Sequence, residues 1–171
     1  MHCAVADGYP FLLGSEESLA DLNARLPAGT GPLPMTRFRP NIVVRHAPQP
    51  WAEDRWRRLR IGNLTYHGVA ACARCKMTTI DSTRGESPSS EPLDTLQSFR
   101  RVISPYSSVA DPRPQYGVMF GWNMIHERPA DAPHTSNAVW GHLALGDVVH
   151  VLEHRDPVTH VPQSASKSEA E

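Results

Sequence analysis

Val69-Ala70-Ala71-Cys72-Ala73-Arg74-Cys75-Lys76-Met77-Thr78-Thr79-Ile80-Asp81 places two thiols and a guanidinium inside an apolar, strand-like run. Tyr66 to Ala71 leads into it as a strand, and Met77 to Ile80 is expected to lead out of it as another. A thiolate is the ligand that soft or high-valent metals accept, and its ionised form is favoured beside a cation such as Arg74. The same arginine can hold phosphate through paired hydrogen bonds.

Working outward toward the N-terminus, Leu59, Ile61 and Leu64 alternate like a strand or hairpin broken by Gly62-Asn63. Trp51 to Trp56 fits one helical turn, and Ile42-Val43-Val44 reads as a short buried strand. Arg37, Arg39 and Asn41 alternate just before it, which in an extended segment puts them on one face. Such a face can meet an anion, although a solvated strand edge is the commoner use of an arginine pair. Phe11-Leu12-Leu13 is a further strand. Ser15 then caps a helix with Glu16 and Glu17 at its positive end and Leu19, Leu22 and Leu26 at helical spacing.

Toward the C-terminus, Ser82 to Ser90 is loop by composition. A second helix is expected from Glu91, with Pro92 at its first position and Leu93, Leu96 and Val102 on its apolar side, ending around Val102. Residues 103–115 form loop. Tyr116 to Ile125 is a Gly-interrupted apolar strand of the kind that bends where a barrel turns or a ligand comes close. Leu143-Ala144-Leu145 and Val148 to Leu152 are expected to pair around the turn Gly146-Asp147. Many short strands with two helices indicate a β-rich α+β domain, a closed or nearly closed barrel with the helices packed outside.

The 171 residues suit one domain, and 17 basic against 18 acidic residues give a formal charge of -1. Nothing in that balance calls for nucleic acid or an anionic membrane, so any anion site is local. No apolar run reaches the roughly 18 residues of a membrane span, and the chain is expected to be soluble. Three cysteines without a secretory signal are better read as reduced thiols than as a disulfide scaffold.

Cys72-x-x-Cys75 leaves three readings open. A structural zinc site needs four ligands, and His46 and His67 offer no second clustered pair. A redox pair needs the motif at the start of a helix, and two buried core thiols are the bland alternative. The histidines show no helical ligand spacing. Glu53-Asp54 and Glu91 with Asp94 have helix-capping explanations. No Gly-rich phosphate loop, nucleophile elbow or kinase signature is present.

The pieces taken together resemble the MOSC domain, found at the C-terminus of molybdenum cofactor sulfurases and in mitochondrial amidoxime-reducing components. The blocks that carry the resemblance begin with Pro10-Phe11-Leu12-Leu13, Ser18-Leu19-Ala20-Asp21-Leu22-Asn23, Arg37-Phe38-Arg39-Pro40-Asn41-Ile42-Val43-Val44 and Glu53-Asp54-x-Trp56. Cys72-Ala73-Arg74-Cys75 with Thr79-Ile80-Asp81, Glu91-Pro92-Leu93-x-Thr95-Leu96 with Arg100, Phe120-Gly121 and Leu145-Gly146-Asp147-x-Val149 follow in the family's order.

The resemblance implies a molybdenum cofactor (Mo-molybdopterin), with Cys75 as the catalytic protein ligand to molybdenum. It implies that Arg39, Asn41, Ala73 and Arg74 hold the pterin and its phosphate, the alanine through its backbone, and that Asn123 lines the cofactor. The implied reaction is reduction of N-hydroxylated compounds such as amidoximes and hydroxylamines, with electrons from NADH through cytochrome b5 reductase and cytochrome b5. The implied domain spans residues 1–155, truncated on its N-terminal side relative to the family, followed by a disordered tail at 156–171. The serine usual between the cysteines is Ala73. The family's association with pyridoxal phosphate belongs to a desulfurase domain, so no pyridoxal-phosphate site is expected in this chain. Two classes of function follow: a molybdoenzyme, or a non-catalytic module that carries the cofactor or its sulfur. The expected location is intracellular, cytoplasmic or mitochondria-associated.

Overall fold

Two hydrophobic clusters organise the computed structural model, which describes residues 8–103, 116–128, 139–156 and 158–160. The larger gathers Leu13, Trp56, Leu59, Ile61, Leu64, Tyr66, Trp122 and Met124 on one face of the sheet. The smaller joins Leu22 and Leu96 from two helices to Phe38 and Phe120. Leu22 and Leu96 are both fully buried, each worth roughly 1.5–3 kcal/mol by removal from water.

The strands β1 (Phe11–Ser15), β2 (Ile42–Val44), β3 (Trp56–Ile61), β4 (Leu64–Arg74), β5 (Arg101–Ile103), β6 (Tyr116–His126) and β7 (Val149–His154) form one sheet. Its path is β2-β1-β6-β4-β3-β7, with β5 paired to β6. The sheet is β-rich and curled as expected, but β2 and β7 are left as its two edges among the described residues, so it is not a closed barrel. Helix α1 (Glu16–Arg25) follows β1, and α2 (Leu93–Phe99) precedes β5.

Ser15 closes β1 and caps α1, its hydroxyl accepting from the Ser18 amide at 3.3 Å, while Glu16 and Glu17 occupy the first turn. Chain reversal at Gly62, φ 57°, pairs Ile61 with Leu64 in the β3–β4 hairpin. Gly121 answers the expectation of a bent strand. It takes φ 80° inside β6, and a Cβ there would lie 2.8 Å from the Leu13 carbonyl oxygen. Only glycine satisfies both the backbone angle and the close approach of β1.

Four local expectations are corrected. Lys76–Thr79 is a 3-10 helix rather than strand, because the Thr78 and Thr79 hydroxyls donate back to the carbonyls of Cys75 and Lys76 at 2.9 and 2.8 Å. Such local bonds compete with a β ladder. Helix α2 ends at Phe99, and Val102 instead sits buried in β5, opposite Gly117. The cause is Arg100, whose buried guanidinium reaches Asp54 at 2.5 and 2.9 Å and turns the chain. Leu143 to Leu145 form no strand: Asp147 accepts from the Ala144 amide at 2.8 Å to make the turn, Leu145 is fully exposed, and β7 pairs with β3. Arg37 lies in a 3-10 helix, Met35–Phe38, and Arg39 is left-handed at φ 54°, so the two do not share a strand face with Asn41.

Glu53 and Asp54 lie in the 3-10 turn Ala52–Arg55, whose start has no side-chain cap. Both are buried: Asp54 pairs with Arg100, which stacks 4.2 Å from the Trp51 ring centroid, and Glu53 has no well-formed hydrogen bond. His160 approaches the same guanidinium at 3.1 Å, and Val158 packs on the larger core. The expected tail beyond residue 160 and the loop at 104–115 lie outside the described residues. No helix among the described residues is long and apolar enough to cross a membrane.

Candidate functional site

β4 begins as a regular strand, with Leu64, Tyr66 and Gly68 buried in alternation. Its register against β6 then slips twice, between Gly68 and Ala70 and between Ala71 and Ala73. Slips of this kind re-aim side chains beside functional sites. Their effect here is that Ala71, Cys72, Ala73, Arg74 and Cys75 all line one cleft, where an unbroken pleat would present every second residue.

That cleft has a volume of about 590 Å³, within the range of small-ligand sites. Arg39, Asn41, Ala73, Arg74, Cys75 and Asn123 all border it, as do Tyr9, Leu12, Arg37, Phe38, Met77 and Thr78. Three of the described lining residues are arginines and none is a carboxylate, so a chain of net charge -1 concentrates positive charge here. The field extends outward: Asp81 is held below the usual carboxylate range, first by the Thr83 amide and also by Arg37 and Arg84.

Cys75 is exposed and stands at the start of the 3-10 turn. Its carbonyl accepts from both the amide and the hydroxyl of Thr78, at 3.1 and 2.9 Å, which ties down the backbone that carries the thiol. Thr78 is buried, and sequence reasoning missed it; a threonine three residues after a strand-end cysteine was the available signal. From Cys72 to Cys75 the backbone is extended, with Cys75 at φ -121° and ψ -177°. Three extended steps separate the two Cα atoms by roughly 10 Å, beyond the ~7 Å a disulfide spans. The redox-pair reading therefore fails on geometry, although a helical turn does follow the motif.

Arg74 is held from two sides. Nη1 donates to the Cys72 sulfur at 2.9 Å and Nη2 to the Phe38 carbonyl at 2.8 Å, while Nε is buried without a partner. The Phe38 ring, 5.6 Å from the guanidinium carbon, stacks on Phe120 with centroids 3.8 Å apart. Asn41 uses its side chain differently from the expected pterin contact. Its oxygen accepts from the Leu12 amide at 2.7 Å and its nitrogen donates to the Pro10 carbonyl at 3.1 Å, clamping the approach to β1 against the cleft. Asn123 sits on β6 between Leu12 and Ala70.

The other candidates lie elsewhere. His67 pairs with Glu127 at 2.5 Å, and Arg58 holds the same carboxylate below its ordinary range; neither histidine of the zinc reading lines the cleft. Among the described residues no group of three or more His, Cys, Asp or Glu side chains could hold a metal ion. Glu91 accepts from the Thr95 amide at 3.1 Å and Asp94 from the Ser90 hydroxyl, which accounts for both as local ties at the start of α2.

Residues 2–150 match the model of the MOSC domain. The chain is 39% identical to human mitochondrial amidoxime-reducing component 1 over 153 residues, which is 87% of this chain and 39% of the human protein. It is 38% identical to bovine mitochondrial amidoxime reducing component 2 over 149 residues, again 87% of this chain and 39% of the relative. Molybdenum cofactor sulfurase of rice is 43% identical over 97 residues, covering 53% of this chain and 12% of that protein.

Proposed function

This chain belongs to the MOSC domain family, and from that premise we propose that its cleft holds a molybdenum cofactor and reduces N-hydroxylated compounds such as amidoximes. The observation that carries the reading is one exposed cysteine sulfur at the edge of a cleft whose charged lining is entirely arginine. Those residues fit the group. A thiolate suits molybdenum, guanidinium forks suit a pterin phosphate, and the buried, unpartnered Arg74 Nε is a donor that an anion seated against it would satisfy.

Bound molybdenum in its pterin dithiolene supplies two-electron oxygen-atom chemistry. Overall, two electrons and two protons cleave the N–O bond of an amidoxime to give the amidine and water. In this reading Cys75 provides the protein thiolate, held in place through the two bonds from Thr78 to its carbonyl. Arg39 and Arg74 hold the phosphate, and the Ala73 backbone and Asn123 face the pterin. Asn41 acts one step removed, by fixing the backbone of Pro10 and Leu12 at the cleft wall. Electrons arrive from a separate donor, proposed to be cytochrome b5 with its reductase. The chain spans 39% of the length of its amidoxime-reducing relatives, and that supports a second reading in which it holds the cofactor or its sulfur without turnover.

The test is reduction of a model amidoxime by the cofactor-loaded chain with a chemical reductant. Amidine formation that disappears in Cys75→Ala supports the enzyme. Cofactor retained without amidine formation favours the holding module.

A further inference from the structure

We infer that Cys72 is a positioning residue for Arg74, its sulfur serving as the acceptor that aims the guanidinium at the anionic part of the ligand. The inference rests on the cleft being an anion-holding cofactor site, and it gives a task to the cysteine that this reading left unused.

An arginine side chain carries about 2 kcal/mol of rotamer entropy, so an anion site built on one is tighter when the guanidinium is held beforehand. Arg74 is held at both terminal nitrogens: Cys72 Sγ lies 2.9 Å from Nη1 and the Phe38 carbonyl 2.8 Å from Nη2. The carbonyl side is rigid, because Phe38 is buried and stacked on Phe120. The sulfur side depends on the slip in register between Ala71 and Ala73, which is centred on Cys72 and brings it to the same cleft as its neighbours. Nε is left buried and unpartnered between these two anchors. A guanidinium offers five donors, and with two of them tied to protein the remaining edge is presented in one orientation. The roughly 10 Å expected between the Cα atoms of Cys72 and Cys75 along an extended backbone argues against a shared metal-chelating role.

The experiment uses the chain without cofactor. The Arg74 side-chain resonances are followed by NMR, and inorganic pyrophosphate serves as the anion probe by calorimetric titration. In the wild type the Arg74 Nη protons should exchange slowly and show restricted rotation. Cys72→Ala should lose that restriction and bind pyrophosphate about fivefold more weakly. Cys72→Ser, which keeps an acceptor, should recover binding to within about twofold. Freely rotating Arg74 in the wild type overturns the inference whether or not the variants fold. So does pyrophosphate affinity unchanged in a folded Cys72→Ala chain, or a serine variant as weak as alanine. Failure of the cofactor reading itself has a different signature: restricted Arg74 in the wild type, together with pyrophosphate binding that Arg74→Ala leaves unchanged.

Discussion

Replacing Glu53 by glutamine should reverse the sign of its effect on stability between pH 5 and pH 8. Glu53 is 1% exposed, and burial pushes its carboxyl up to about 7 from an ordinary value of 4.5, against the opposing pull of Ser18 and Arg100. The folded state therefore holds a proton that the unfolded chain has released, throughout the window from 4.5 to about 7. Stability contributed by this group is fully present below that window and is lost as pH rises through it. At roughly 1.4 kcal/mol per pH unit the loss is about 3 kcal/mol by pH 8. Glutamine does not titrate, but its amide nitrogen enters a site with no ready acceptor, at a cost of about 1–2 kcal/mol. The variant should thus be less stable than wild type at pH 5 and more stable by about 1–2 kcal/mol at pH 8. Other groups titrate in the same range, so the quantity to read is the difference between the two chains by urea denaturation at each pH. A difference that stays constant from pH 5 to pH 8 would refute the reasoning.

Removing the carboxylate in Asp54→Ala strands Arg100, which is 3% exposed, and should cost about 3–5 kcal/mol. A loss under about 1 kcal/mol by denaturation would show that Arg100 finds other partners. Gly121→Ala forces a side chain into φ 80° and to 2.8 Å from the Leu13 carbonyl oxygen, and should destabilise by roughly 1–3 kcal/mol, read as a fall in Tm. An alanine variant as stable as wild type would mean that β6 bends for another reason.

The strands legible in the sequence were those whose pattern matched their burial. Phe11-Leu12-Leu13, Ile42-Val43-Val44 and the Ile61–Leu64 hairpin all became ladder, and Ser15 capped the helix it precedes. The misses share a cause, because at each one a specific hydrogen bond outweighed local propensity. Thr78 and Thr79 folded back on their own turn, and Asp147 closed a turn with no strand before it. Arg100 ended α2 through Asp54, a partner 46 residues away that no local pattern could reveal.

The grouping around the cleft was legible in another way. Arg39, Asn41, Ala73, Arg74, Cys75 and Asn123 came from resemblance to a family, and the fold brings them to one wall-lined space. Two things stayed hidden in the linear order. Arg37 and Arg39 reach the cleft from a 3-10 helix and a left-handed residue rather than from a strand face. The double slip in β4, which turns successive residues toward one space, leaves no mark in side-chain pattern because Ala71 and Ala73 suit either face.

The central claim is that the Cys75 sulfur binds molybdenum. Elemental analysis of purified wild type and Cys75→Ala, each loaded with molybdenum cofactor under the same conditions, tests it most directly. Stoichiometric molybdenum in the wild type and its loss from the variant is the predicted result. Molybdenum retained at full occupancy in Cys75→Ala, or stoichiometric zinc with no molybdenum in the wild type, would contradict it.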